Sequence, residues 1–307
     1  MAKVVCGGLI TVDLLFDVAT HPEPGLKMRA EGSRMVPGGG ALIAASAVAA
    51  LGGQASLAGA VGDDVLGGFV RGALAARGVD DRMVQTVQGQ GTARSAVLIT
   101  PDGERTIINH RDAALFAGQV IIPVPFGFDA VLVDTRWPGG AAALLQAARR
   151  AGVPGVLDGE APVQLAADAV AESSHIVFSQ QGLIDYAGAC DAATLADVST
   201  RLGIFVAVTR GAESVLCHGL KGAFAVEVFT TPAVDTLGAG DVWHAGFALA
   251  LGRGQAENAA VRFANAAAAL RVARKSAFPT GEEVAALLAR HGYTDGDFGG
   301  KDDALAP

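Results

Sequence analysis

The chain has 307 residues, a formal net charge of −8 and 18% charged residues. The acidic balance argues against nucleic acid or an anionic membrane as partner, because their phosphates call for a basic face. With 51% hydrophobic residues and 41 glycines the chain suits one large α/β unit with close helix–sheet contacts, and no apolar run approaches the ~20 residues of a membrane helix.

The first apolar run, Val4–Ile10, reads as a central strand rather than as part of a charged-then-apolar leader. Lys27–Val36 mixes polar and apolar residues as an exposed strand does. Gly38-Gly39-Gly40 opens an Ala-rich helix over Ala41–Leu51, stopped by Gly52-Gly53. Ala55–Val61 is a second strand, and Leu66–Arg77 a helix ended by Gly78. Arg94–Thr100 and Glu104–His110 flank Pro101-Asp102-Gly103, which is a hairpin with turn residues at its tip. From Asp129 onward strands and helices alternate: strand Ala130–Asp134, helix Gly140–Ala151, strands Val153–Asp158, His175–Ser179 and Ile204–Thr209, then helix Phe263–Val272. This alternation predicts a mostly parallel sheet covered by helices on both faces. Two exposed segments fall outside that pattern and read as a small β lid over the strand ends, formed by about residues 14–36 and 92–111. The expectation is a single domain over residues 1–291, followed by a loose Gly- and Asp-rich tail at 292–307. Cys6, Cys190 and Cys217 have neither metal nor disulfide spacing, which predicts reduced thiols and a cytoplasmic protein.

The stretch that carries chemistry is Asp235-Thr-Leu-Gly-Ala-Gly-Asp241-Val-Trp-His-Ala-Gly246, followed at once by apolar helix from Phe247 to Leu251. Its two glycines let the backbone turn tightly and approach a ligand. The helix start adds unpaired N–H groups and the positive end of a dipole, a place for phosphate. A carboxylate such as Asp241 would repel phosphate there. It suits instead a base that takes the proton of a hydroxyl attacking a phosphoryl group. The alternative is a plain strand-to-helix turn with Asp241 as N-cap.

This string resembles the C-terminal signature of the ribokinase-like (PfkB) carbohydrate kinases. Gly38-Gly39-Gly40 with its helix, and Ala60-Val61-Gly62-Asp63-Asp64, resemble the N-terminal half of the same pattern. The resemblance implies an ATP- and Mg²⁺-dependent kinase with a sheet-and-lid fold. It casts Asp241 as the general base, with Gly238, Ala239 and Gly240 donating backbone N–H groups to the transferred phosphoryl group. Asp13, Gly39 and Gly40 would hold the sugar. Thr209, Gly211, Thr236 and Asn265 would line the nucleotide. No protein ligand is assigned to the metal, because Ser179-Gln180-Gln181-Gly182 stands where the family carries Asn-x-x-Glu. In some members the start of the motif also helps to hold a monovalent cation. The loop Arg274–Thr280 is short and lacks the family's glycines, so that ion is not expected here.

The strings Val131–Pro138 and Leu157-Asp158-Gly159 resemble a narrower branch, near sulfofructose kinase and ketohexokinase-like proteins. That resemblance implies an anion site made by Lys27, Asn109 and Arg136, and a ketose such as 6-deoxy-6-sulfofructose phosphorylated at a primary hydroxyl. A tetrahedral anion suits a guanidinium fork, a point charge and an amide. The alternatives are a neutral-sugar kinase of fructokinase, ketohexokinase or ribokinase type, and a catalytically silent sugar-binding protein. A nicotinamide enzyme would need Gly-x-Gly-x-x-Gly after the first strand, where the chain has Cys6-Gly7-Gly8-Leu9-Ile10. His110, Arg111 and His244 receive no role. Lid strands with open edges often pair between subunits, so a homodimer through the lid is expected.

Overall fold

The computed structural model describes residues 1–293. In chain order the elements are β1 (Lys3–Gly7), β2 (Thr11–Asp17), β3 (Gly32–Gly38), α1 (Gly40–Ala50), β4 (Gln54–Gly62), α2 (Val65–Ala76), β5 (Asp80–Val87), β6 (Arg94–Ile99), β7 (Arg105–His110), β8 (Ala130–Val133), α3 (Pro138–Ala151), β9 (Gly155–Gly159), α4 (Ala167–Glu172) and β10 (His175–Ser179). They continue with α5 (Gln180–Ala187), α6 (Ala192–Leu202), β11 (Phe205–Arg210), β12 (Glu213–Gly219), β13 (Gly222–Val226), α7 (Ala239–Gly252), α8 (Glu257–Val272) and α9 (Gly281–Arg290).

The large sheet runs β13-β12-β11-β10-β9-β8-β1-β4-β5. Its strands from β11 to β5 pair in parallel, and the β12–β13 hairpin closes one edge antiparallel. Successive side chains of a strand point to opposite faces, and here both faces are dry. Leu132 of β8 packs with α1, α7 and α8 on one side, while Val131 and Val133 pack with α3 on the other. This explains why the strands read as continuous apolar runs without alternation. The Ala and Gly content also has a local cause: a Cβ on Gly246 of α7 would lie 3.3 Å from the Ala264 Cα of α8. Small residues on both helices allow that approach.

The second sheet, β3-β2-β6-β7, is the expected lid. It starts earlier than the sequence suggests, because Thr11–Asp17 forms its second strand and Asp13 lies within that strand. Lys27 falls in the exposed loop before β3, outside the lid strand assigned to it. The edge strand β5 and the hairpin β12–β13 were not anticipated. Of the expected tail at 292–307, all but the first two residues lie outside the described part. No helix among the described residues is long and apolar enough to cross a membrane.

Candidate active site

The ends of the parallel strands converge on the first turn of α7, as expected for an open α/β sheet. Gly238 caps that helix in the left-handed region, at φ 73, where a Cβ would be strained. Ala239 and Gly240 follow, and Gly240 is exposed. The Gly240 N–H belongs to the first turn, which has no intrahelical acceptors, while the Ala239 N–H donates to the Thr236 carbonyl at 3.3 Å. Asp241 is the third helical residue and makes no capping bond, so the plain N-cap alternative does not describe it.

Across from Asp241 lies the start of α1. Gly39 takes φ 92, and a Cβ there would sit 2.3 Å from the Leu9 carbonyl oxygen. A Cβ on Gly40 would lie 2.9 Å from Asp241 Oδ1. The glycines therefore bring the two helix starts together and leave backbone facing the cleft. Asp13 accepts a hydrogen bond from Thr11 Oγ1 at 2.9 Å, and its carboxylate lies beside Gly38. Asp13, Ser95 and Asn109 are register partners across β2, β6 and β7, so they share one face of the lid.

A narrow cavity beneath the turn is lined by Gly40, Asp134, Asp158, Asp241 and His244. Burial pushes the Asp241 carboxyl well above the usual range, and the negative charges of Asp158, Glu160, Asp134 and Asp13 push it further. That direction suits a base poised nearer neutral pH than a free aspartate. Asp134 is raised to about 6 by burial, despite accepting N–H bonds from Leu9 and Arg136. Asp158 is also raised by burial, opposed by His244.

On the other side of the turn opens a cavity of about 410 Å³, within the range of small-molecule sites. Thr209, Gly211, Thr236, Ala239, Gly240 and Asn265 line it, as the sequence suggests for a nucleotide site. Asn265 is held by its own partners. Its Oδ1 accepts from Trp243 Nε1 at 2.7 Å and its Nδ2 donates to the Glu227 carbonyl at 2.9 Å. Buried at 2% exposure, the amide braces the wall of the cavity it lines.

The three residues of the expected anion site lie on three separate segments, and two of them already have partners. Lys27 is in the exposed loop. Asn109 donates to Ser95 Oγ at 3.0 Å. Arg136 donates to the Ala161 carbonyl at 2.9 Å and pairs with Glu160 at 2.8 Å.

Several site residues were missed. Asp134 and Asp158 stood in strings quoted for resemblance, and their place at strand carboxyl ends was the available signal. Arg105 of the lid reaches Asp235 and Thr236, each at 3.4 Å. Arg271, only 5% exposed, donates to the Asp235 carboxylate at 3.1 Å and to the carbonyls of Asp235 and Arg274 at 3.3 and 3.0 Å. A fixed guanidinium thus ties together the two loops between which a monovalent ion was considered.

The donor chemistry near the turn fits magnesium held mainly by phosphate oxygens and water. Ser179 Oγ is engaged in capping α5, and Gln180 and Gln181 offer only neutral amides. Among the described residues no group of three or more His, Cys, Asp or Glu side chains stands ready to hold a metal. Hard cations often bind in this way, with few protein ligands.

Comparison with known proteins agrees with this geometry. Residues 1–282 match the family model described as pfkB family carbohydrate kinase. The ATP-dependent ribose-1-phosphate kinase of Halopiger xanaduensis is 32% identical, covering 94% of this chain and 98% of its own length. The ribokinase of Haemophilus influenzae is 26% identical over 92% of this chain and 96% of its own. A crystal structure of a chain described as a ribokinase from Agrobacterium tumefaciens superimposes with a TM-score of 0.89, at 34% identity, covering 94% of this chain and 98% of that one. Nothing in these matches singles out a sulfofructose or ketohexokinase branch.

Proposed function

Because the chain belongs to the pfkB family of carbohydrate kinases and is an ATP-dependent sugar kinase of ribokinase type, we propose that it phosphorylates a primary hydroxyl of a neutral sugar resembling ribose or fructose. The observation that carries this reading is the gathering of carboxylates about Asp241: Asp134 and Asp158 line the same narrow cavity, and Asp13 and Glu160 stand near enough to act on its charge. Carboxylates accept hydrogen bonds from sugar hydroxyls and repel an anionic substituent. Arg136, the residue best suited to an anion, is already paired with Glu160.

The mechanism that fits is in-line transfer. The nucleotide would occupy the cavity lined by Thr209, Gly211 and Thr236, which also reaches Ala239 and Gly240 of the first turn of α7. Asp13 and the backbone at Gly39–Gly40 orient the sugar. Asp241 takes the proton of the attacking hydroxyl, and the N–H groups of the turn stabilise charge on the phosphoryl oxygens. Magnesium, held by the phosphates, neutralises part of that charge when bound. The lid excludes water, which limits hydrolysis of ATP.

A second reading, an anionic sugar such as sulfofructose or a sugar 1-phosphate, draws support from the name of the Halopiger relative. It requires Arg136 to exchange Glu160 for the substrate and the loop of Lys27 to close. ATP consumption across ribose, fructose, ribose 1-phosphate, 6-deoxy-6-sulfofructose and adenosine separates the readings. Turnover on ribose or fructose is expected. Turnover confined to the anionic sugars, lost in Arg136→Ala, would replace the first reading by the second.

The outer face of the lid supports a homodimer. Met35, Leu14, Ala96 and Ile108 form one row across the four strands, and Leu14, Met35 and Ile108 are 36%, 42% and 65% exposed. A second copy covering that row would explain apolar side chains there; light scattering on the wild type and on Ile108→Lys tests it. The free cysteines, with Cys6 and Cys217 buried, suit a reducing, cytoplasmic setting, and the net charge of −8 suits small-molecule partners over nucleic acid.

A further inference from the structure

His244 lies one helical turn beyond Gly240 on α7 and is 4% exposed. Its Nδ1 is 2.8 Å from the Gly240 carbonyl oxygen. Its Nε2 is 3.2 Å from the Val177 carbonyl oxygen of β10 and 3.4 Å from Asp158 Oδ1 of β9. Carbonyl oxygens only accept hydrogen bonds, and a neutral imidazole carries a proton on one nitrogen only. Beside an ionised Asp158, a neutral ring would leave one buried nitrogen lone pair facing an oxygen lone pair. With both nitrogens protonated, Nδ1–H donates to the Gly240 carbonyl and Nε2–H to the Val177 carbonyl, and Asp158 at 3.4 Å supplies the counter-charge.

The same ring lines the cavity that holds Asp241. The charges that push the Asp241 carboxyl up come from four acidic groups on the packed elements: Asp158 and Glu160 from β9 and its end, Asp134 after β8, and Asp13 from β2; Arg136, also after β8, is paired with Glu160. Such surroundings favour the protonated carboxyl, which cannot act as a base. A cation fixed beneath the turn opposes that tendency.

We infer that His244 is a positioning residue held as an imidazolium by Asp158, that it pins the first turn of α7 to β9 and β10, and that its charge keeps Asp241 ionised at neutral pH. The effect on Asp241 rests on the proposed role of Asp241 as general base. The charge state of His244 does not, and it can be read without any substrate.

Nitrogen NMR of the histidine rings in the full-length wild-type protein at pH 7.5, with the His244 signals assigned by their loss in His244→Asn, is the first test. Both His244 nitrogens should show the protonated signature. A ring with one unprotonated nitrogen overturns the inference, whatever sugar the enzyme uses. The second test is the pH dependence of kcat on whichever sugar the panel identifies. In His244→Asn, Asp158 is left uncompensated, and the acid limb should move up by about one pH unit, a tenfold loss of rate below it. In the double variant Asp158→Asn/His244→Asn the pair leaves together, and the limb should return toward the wild-type position. A merely structural His244 would lower kcat at all pH values, leave the limb in place in the single variant, and show no recovery in the double. Thermal unfolding of each variant establishes that it is folded. Absence of turnover by the wild type on every sugar would count against the function proposed above and leave the NMR result standing.

Discussion

The two walls of the cleft are built differently. On the α7 side three polar side chains already have partners: Asn265 holds Trp243, Arg271 holds Asp235, and His244 holds Gly240 and Asp158. On the lid side Asp13 accepts from Thr11 Oγ1, while Asn109 and Lys27 are exposed. Groups fixed before the substrate arrives need no reorganisation during reaction. Groups on a sheet that can close are suited to recognition and water exclusion. The chemistry should therefore reside in the first wall and substrate affinity in the second, and substitutions on each side should move different kinetic constants.

The largest effect is expected at Asp241. Asp241→Asn keeps the shape and removes the base, so kcat should fall by about 10²–10⁴, with nucleotide affinity measured by calorimetry little changed. Loss of nucleotide binding in a folded variant would move Asp241 out of the base role.

Arg271 comes next. Its removal leaves Asp235 with Arg105 at 3.4 Å and with N–H bonds from Leu237 and Ser276. Arg271→Met should cost about 2–4 kcal/mol of stability, somewhat less than a buried pair broken outright, and lower kcat by loosening the loop before the turn. The wild type should turn over equally in potassium and in tetramethylammonium salts. A marked potassium requirement would show that the guanidinium does not fill the place of an ion.

Asp134 offers a test by pH. Its folded-state value of about 6 lies above the ordinary 3.8, so the folded chain binds the proton more tightly than the unfolded one. Stability from this group is present below about pH 4 and is lost as pH rises through 6, by up to about 3 kcal/mol. Denaturant titrations from pH 4 to 7 should show that slope in the wild type and a flatter one in Asp134→Asn. Equal slopes would mean the carboxyl is ionised throughout.

How far the sequence reveals these two walls follows from how local each one is. The turn from Gly238 to Asp241 is a contiguous string, and its backbone geometry follows from its own glycines. The strands β8, β10 and β11 announce themselves because both faces are buried. In contrast, β5 is a polar edge strand, with Asp80, Asp81 and Arg82 at its start, and carries little periodic signal. Arg136 is clear as a residue type, but its partner Glu160 lies 24 residues on, and only folding shows that the two meet. Lys27 and Asn109 were placed by resemblance, and the loop and register that decide their position are long-range. His244 was visible at helical spacing from Gly240, yet its role depends on Val177 and Asp158 from other strands.

On the lid side, Asp13→Asn should raise KM for the sugar about 10- to 100-fold while changing kcat much less, since one acceptor of sugar hydroxyls is lost and the base is untouched. A fall in kcat as deep as that of Asp241→Asn would erase the distinction between the walls.

The smallest effect belongs to neither wall and calibrates the rest. Thr280 caps α9 by accepting from Glu283 N, and Glu283 accepts in return from Thr280 N while pairing with Arg274. Thr280→Ala should lower stability by about 1 kcal/mol and leave kcat and KM for the sugar as they are. The Arg274 guanidinium and the Thr280 N–H hold the Glu283 carboxyl down at about 2, below its ordinary 4.5. Its contribution is therefore present above about pH 4.5 and is lost as pH falls through 2. With the Glu283 side chain 40% exposed, solvent screening keeps that contribution within about 1 kcal/mol. The Thr280→Ala deficit in denaturant midpoint should accordingly shrink at pH 3. If this variant instead changed KM or kcat, the loop between α8 and α9 would be coupled to the catalytic turn through Arg274 and Arg271, and the α7 wall would extend to α9.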